Sequence, residues 1–227
     1  DSLVVAGNGN KMEKLWVGQN AKAHTCVSSN IVGELTYVSG GSVTGCTAGG
    51  TIKSQPNEIE PEPLPIPPDT INNWKAAAAA GGIIENDISY LSGVNYLGPV
   101  QIGTSADPKD LIIGTNAMLK VTGTIYVTGD VFIENNSVVS LDTASYGSAS
   151  GLIVADGTID VSNNAILSGG SGRYLLLLST SNSCDPVKPA IYARNNALGA
   201  IFYASNGMVY IYNNMLVKEV VGYKLKL

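Results

Sequence analysis

A chain of 227 residues is long enough for one extended domain or two small ones. Only 14% of its residues are charged, Gly is abundant, and Phe and Trp are scarce; that balance suits a β-rich, turn-rich fold better than a helical one. The net charge of −5 argues against nucleic acid and anionic membrane surfaces as partners. No apolar run approaches the roughly 18 residues that span a bilayer.

In chain order, residues 1–52 are read as N-terminal β coils, packed on or continuous with a larger solenoid. The opening Asp1-Ser2-Leu3 does not look like a signal peptide. Leu15-Trp16-Val17-Gly18-Gln19-Asn20-Ala21, Ile31 to Val38 and Ser42-Val43-Thr44 are short strand-like runs separated by Gly and Ser punctuation. Cys26 and Cys46 are 20 residues apart, about one coil. A disulfide between them and a pair of buried or unpaired thiols are both compatible with that spacing. Cys184 is the third cysteine.

Residues 53–82 break the pattern. Pro56 to Pro68 carries too many prolines for a paired strand and should be extended polyproline II. It could be a solvated linker; the interleaved Ile59, Leu64 and Ile66 favour an arm lying along a protein surface. A helix is expected over 69–80, with Asp69 as N-cap and Gly81-Gly82 as stop. Ile71, Trp74 and Lys75 would form its one apolar stripe, for docking on a flank or open end of the solenoid.

Residues 83–227 should form the main solenoid. One phrase recurs there, clearest as Val131-Phe132-Ile133-Glu134-Asn135-Asn136-Ser137-Val138. Copies begin at Leu111, Val131, Ile159, Ile191 and Val209, with spacings of 20, 28, 32 and 18. Alternating apolar residues make a strand with one inward face. Asn tolerates the left-handed conformation of a corner. Recurrence at such periods predicts stacked coils. The fold class is therefore all-β, a single-stranded parallel β-helix (β-solenoid), right-handed by the crossover preference, with one short inserted helix. Asn116, Asn135, Asn136, Asn163, Asn164, Asn195, Asn196, Asn213 and Asn214 are expected to stack as a structural ladder at the corner. The continuously apolar run Tyr174 to Ser179 should be a strand buried on both faces, beneath a loop, an added element or a subunit contact.

Catalytic chemistry is sparse. Glu134, Asp160, Arg194 and Tyr212 are taken to share one outward position before the corner, with Glu134 and Asp160 on adjacent turns. A paired-carboxylate site would follow from that, but solvated outward positions are the plainer reading. His24 is the sole histidine, which leaves no Ser-His-Asp or Cys-His system. Gly169-Gly170-Ser171-Gly172 lacks the Lys of a phosphate loop, and the acidic residues match no calcium-loop spacing. No catalytic residue, cofactor or metal is expected. The exposed tyrosines, chiefly Tyr126, Tyr192, Tyr210 and Tyr212 with Tyr203 and Tyr223, are a candidate partner surface for glycan or protein.

Val121 to Asp130 running into the Asn corner, Gly151 to Gly157 and Ala200 to Gly207 resemble the β-solenoid domain of PilX-type pilus-assembly proteins, over roughly residues 83–227. Members of that family carry a pilin-like membrane helix before the solenoid, and this chain shows none. Bactofilins, which polymerise solenoids end to end, are a more distant resemblance, because the loops and the 53–82 insert are more elaborate. The resemblance implies a non-enzymatic structural or adhesive component of a pilus or other cell-envelope filament, located outside the cell or on its surface. Its partners would be copies of itself, other envelope subunits or glycans. The alternatives are a carbohydrate-active β-helix enzyme or glycan-binding module, and a self-polymerising cytoskeletal solenoid.

Overall fold

The computed structural model describes residues 3–5, 9–60, 65–197 and 199–227. It is built of short parallel strands stacked in register, with two helices, Pro68–Ala80 and the four-residue Thr143–Tyr146. The chain divides into two compact units, Asp1–Pro65 and Ile66–Leu227. The long helix therefore belongs with the second unit, and most of the Pro-rich stretch with the first. Residues 61–64, four of the thirteen in the expected polyproline arm and with them Leu64, lie outside the described residues.

In the first unit three strands make each turn. Leu3 lies over Ala21, Ala21 over Leu35 and Leu35 over Ile52, spacings of 18, 14 and 17 residues. Turns this short enclose a narrow interior, filled by Met12, Ala21, Ala23, Cys26, Ile31 and Leu35. Cys26 and Cys46 form a disulfide with Cα atoms 6.3 Å apart. Cys26 pairs with Val43 of the following turn, so the bond ties one turn to the next.

The second unit has three stacked faces. One carries Ile83–Ile84, Val100–Ile102, Ile125–Val127, Gly151–Ala155, Leu175–Ser179 and the first half of Ile201–Tyr212. The next carries Ile88–Tyr90, Leu111–Ile113, Val131–Ile133, Ile159–Val161, Ile191–Arg194 and the second half of Ile201–Tyr212. The third carries Val94–Leu97, Met118–Val121, Val138–Leu141 and Ile166–Ser168. Leu111 lies over Val131, Val131 over Ile159, Ile159 over Ile191 and Ile191 over Val209, so the recurring phrase is the second face of the stack. Its alternation places Val131, Ile133, Ile159, Val161, Ile191 and Val209 in a continuous fully buried core.

The stack holds one more copy than the phrase predicts. Ile88–Tyr90 pairs in register with Leu111–Ile113, and Gly93, with φ +75°, takes the place of the left-handed Asn. Gly adopts that conformation at no steric cost, so the corner survives while the Asn signature does not.

The helix begins one residue before its expected start. Pro67 is the N-cap with no side-chain cap bond, Pro68 opens the helix, and Asp69 sits in its first turn. Pro at the first helical position is already set to a helical φ. The helix lies on a flank: Ile71, with Ile66 and Trp74, packs on Leu152, Val154, Leu176, Leu178 and Tyr203. Those are outward positions of the first face. Thus residues 175–178 are apolar throughout because the inner ones meet the core and the outer ones meet the helix. At Gly81 a Cβ would stand 2.1 Å from the Pro99 carbonyl oxygen, so only Gly lets the helix run this closely into the first coil.

Candidate functional site on the solenoid surface

The corner after the second face is a tight turn. The second Asn of each copy is left-handed, Asn136 at φ 55°, Asn164 at 57°, Asn196 at 62° and Asn214 at 56°, as is Asn116 at 62°. In the last two copies the first Asn is left-handed as well, Asn195 at 53° and Asn213 at 57°. Side-chain amides then bond from coil to coil. Asn163 Nδ2 donates to Asn135 Oδ1 at 2.9 Å, Asn195 to Asn163, and Asn213 to Asn195 at 2.9 Å. A second column runs beside it, Asn164 to Asn136 at 3.2 Å and Asn196 to Asn164 at 3.3 Å. Asn116 joins through its backbone N–H, which donates to the Asn135 carbonyl at 3.0 Å. Directly after the corner, Ala117, Ser137, Ala165 and Ala197 are buried; small residues let the turn close against the core.

A second ladder, of aspartates, runs up the corner before the phrase. Asp87 Oδ1 accepts from the Asp110 N–H at 2.9 Å, Asp110 Oδ1 from the Asp130 N–H at 2.7 Å, and Asp130 Oδ1 from the Thr158 N–H at 2.6 Å. The position one residue before each copy carries the signal: Asp87, Asp110, Asp130, Thr158. Burial alone would raise the Asp130 carboxyl, but the Thr158 hydrogen bonds and the Lys188 ammonium, 2.9 Å away, hold it below the usual carboxylate range.

The strand register corrects the expected carboxylate pair. Asp160 pairs with Phe132 on one side and Tyr192 on the other, in the column that continues to Tyr210, not beside Glu134. The position before the corner holds Glu134, Ser162, Arg194 and Tyr212. Glu134 accepts from the N–H and hydroxyl of Thr115, both at 3.1 Å. Asp160 accepts from Arg194 Nη2 at 2.9 and 3.1 Å. Burial raises the Asp160 carboxyl and the Arg194 charge only partly opposes it. Two carboxylates engaged with separate partners do not make an acid–base pair in this arrangement.

The tyrosine surface is narrower than expected. Tyr126 is on the first face beneath the helix, where its hydroxyl donates to Asp156 and Lys75 lies 5.0 Å from its ring centroid. Asp156 also accepts from Lys75 and from the Thr180 hydroxyl, at 2.7 Å for the latter. Burial pushes the Tyr126 hydroxyl far up, and the Asp156 carboxylate adds to it. Tyr203 is buried, its hydroxyl donating to the Ile66 carbonyl at 3.0 Å. Alternation marks both as outward, and the docked helix then covers them.

The remaining set lies on the second face. Tyr192 and Tyr210 stack with centroids 5.0 Å apart and planes 17° from parallel. Arg194 lies 4.7 Å from the Tyr192 centroid and Lys226 4.0 Å from that of Tyr210. Both ring faces of this pair are thereby largely taken by each other and by cations. Tyr212 meets Tyr210 edge-on, at 6.0 Å and 70°, and is 50% exposed. Among the described residues no group of three or more His, Cys, Asp or Glu side chains converges as a metal site requires, and no helix is long and apolar enough to cross a membrane. No protein-family model, no curated protein and no solved structure matches this chain.

Proposed function

We propose that this chain is a non-enzymatic structural or adhesive β-solenoid, a component of a pilus or other cell-envelope filament exposed outside the cell. The observation that carries the reading is the use of the polar columns. Both corner ladders bond coil to coil, and the two most suggestive carboxylates, Glu134 and Asp160, are engaged by Thr115 and Arg194. Such a surface is suited to keeping a stack rigid and in register. The Cys26–Cys46 disulfide supports an oxidising location. Partners of the filament would be further copies of the chain, other envelope subunits or glycans, met through the second face near Tyr212.

Antibody labelling of intact producing cells tests the reading, with label expected on surface appendages. Label found only after the cells are opened would count against it. So would turnover of a pectin-like polysaccharide that disappears on changing Glu134 and Asp160 to Ala, since that outcome favours a carbohydrate-active β-helix enzyme.

A further inference from the structure

Tyr212 stands apart from the other tyrosines of its face. Half of it is exposed, it touches Tyr210 only edge to face, and no cation lies over it among the described residues. Arg194 is its partner on the adjacent turn of the stack. That guanidinium lies 4.7 Å from the Tyr192 centroid and is hydrogen-bonded through Nη2 alone, to Asp160 at 2.9 and 3.1 Å and to Ser162 Oγ at 3.3 Å. Its remaining N–H donors have no protein acceptor among the described residues. Asn213, next along the chain, donates through Nδ2 to Asn195 Oδ1 at 2.9 Å and accepts at its backbone carbonyl from the Asn196 N–H at 3.2 Å, which leaves its side-chain Oδ1 and second Nδ2–H for another partner. An open aromatic face, a pre-oriented planar donor fork and a pre-oriented amide thus lie together on a rigid strand end.

The chemistry of this set selects a ligand. The C–H face of a pyranose packs on an aromatic ring, and its vicinal hydroxyls suit planar groups that donate and accept in pairs. Asp160 neutralises Arg194 locally, and Lys226 is engaged over Tyr210, so the cluster offers no net attraction for a polyanion. We propose that Tyr212, Arg194, Asp160 and Asn213 form a binding site for a neutral glycan, with one hexopyranose ring on Tyr212 and its hydroxyls bonded by Arg194 and Asn213. Asp160 is a positioning residue, acting through Arg194. This assignment rests on the adhesive reading above.

The test uses the full chain on an immobilised array of neutral oligosaccharides built from glucose, galactose, mannose and N-acetylglucosamine. Binding to at least one class is expected, with a loss of roughly tenfold for Tyr212→Ala and retention for Tyr212→Phe. Two other exposed aromatics, Trp16 at 74% and Tyr223 at 75%, serve as controls: Trp16→Ala and Tyr223→Ala should bind as the native chain does. Unchanged thermal unfolding of Tyr212→Ala would attribute its loss to the site. A silent array, or Tyr212→Ala binding like the native chain, overturns the assignment. If the array is silent while intact cells still carry the chain on surface appendages, the glycan site alone fails. Label confined to the cell interior instead defeats the adhesive reading itself, whatever the array shows.

Discussion

In residues 1–65 a turn of the stack takes 14 to 18 residues and closes around Met12, two alanines, Cys26 and Leu35. In residues 66–227 the second face repeats at intervals of 18 to 32 residues and encloses a continuous column of Val, Ile and Leu. The apolar area that a coil removes from water grows with the interior it can enclose. The narrow unit adds a covalent tie, Cys26–Cys46. The wide one adds two ladders of side-chain hydrogen bonds and a helix on its flank. One architecture is thus stabilised by different means according to how much core each turn can hold.

This contrast can be broken unit by unit. The largest effect is expected from Ile133→Ala, which opens a cavity in the wide core and should cost about 3 to 4 kcal/mol, seen in urea unfolding of residues 66–227. Replacing Cys26 and Cys46 with Ser should cost the narrow unit about 3 kcal/mol, read as faster amide exchange confined to residues 1–65. Equal destabilisation of both units by the cysteine changes would show that the disulfide is not a local tie. Asp156→Ala leaves Lys75, Tyr126 and Thr180 without their shared acceptor. A loss of about 2 kcal/mol, with exchange rising first in Pro68–Ala80, would mark the helix as held by that carboxylate.

Smaller effects separate the two contributions of a corner. Asn164→Ala loses both the ladder bonds and the ease of φ 57°, and should cost about 1 to 2 kcal/mol. Asn164→Gly keeps the conformation and should cost about half as much. Equal costs would mean that backbone strain contributes nothing. The weakest effect is that of pH. Asp130 and Asp156 are held below their ordinary range, so their contribution is complete above the unfolded carboxylate value of about 3.9 and is lost as pH falls through their depressed folded values. Asp160 acts oppositely: its raised carboxyl takes up a proton more readily when folded, which relieves a penalty as pH falls. The net expectation is a stability plateau above about pH 5 and a decline below it, shallower in Asp130→Asn.

Much of this was legible because the repeat has a mechanism. Asn at a left-handed corner after an alternating strand reveals itself by spacing, and the offsets between copies match the strand register. Legibility failed where a different residue met the same physical need. Gly93 supplies the left-handed corner of the first coil without an Asn. Asp87, Asp110 and Asp130 make a ladder from residues that outwardly look like ordinary solvated acids. Asp160 stands two residues before the position that Glu134 holds, in the column of Phe132 and Tyr192, and two outward acids in neighbouring copies look alike until the register is counted. Tyr126 and Tyr203 look exposed until Ile66, Ile71 and Trp74 cover them, and no local pattern announces where a helix docks. The narrowing of the partner surface to Tyr212 depends on ring stacking, which alternation cannot show.

The measurement that bears most directly on the account is amide exchange at the Asn corner. The backbone N–H groups of Asn116, Asn136, Asn164 and Asn196 each donate to the carbonyl of the first Asn of the adjacent coil, at 2.8 to 3.2 Å. If these corners keep the coils in register, their protection should match that of the neighbouring core strands, such as Val131–Ile133. Exchange at the rate of an open surface turn, while those strands stay protected, would contradict it.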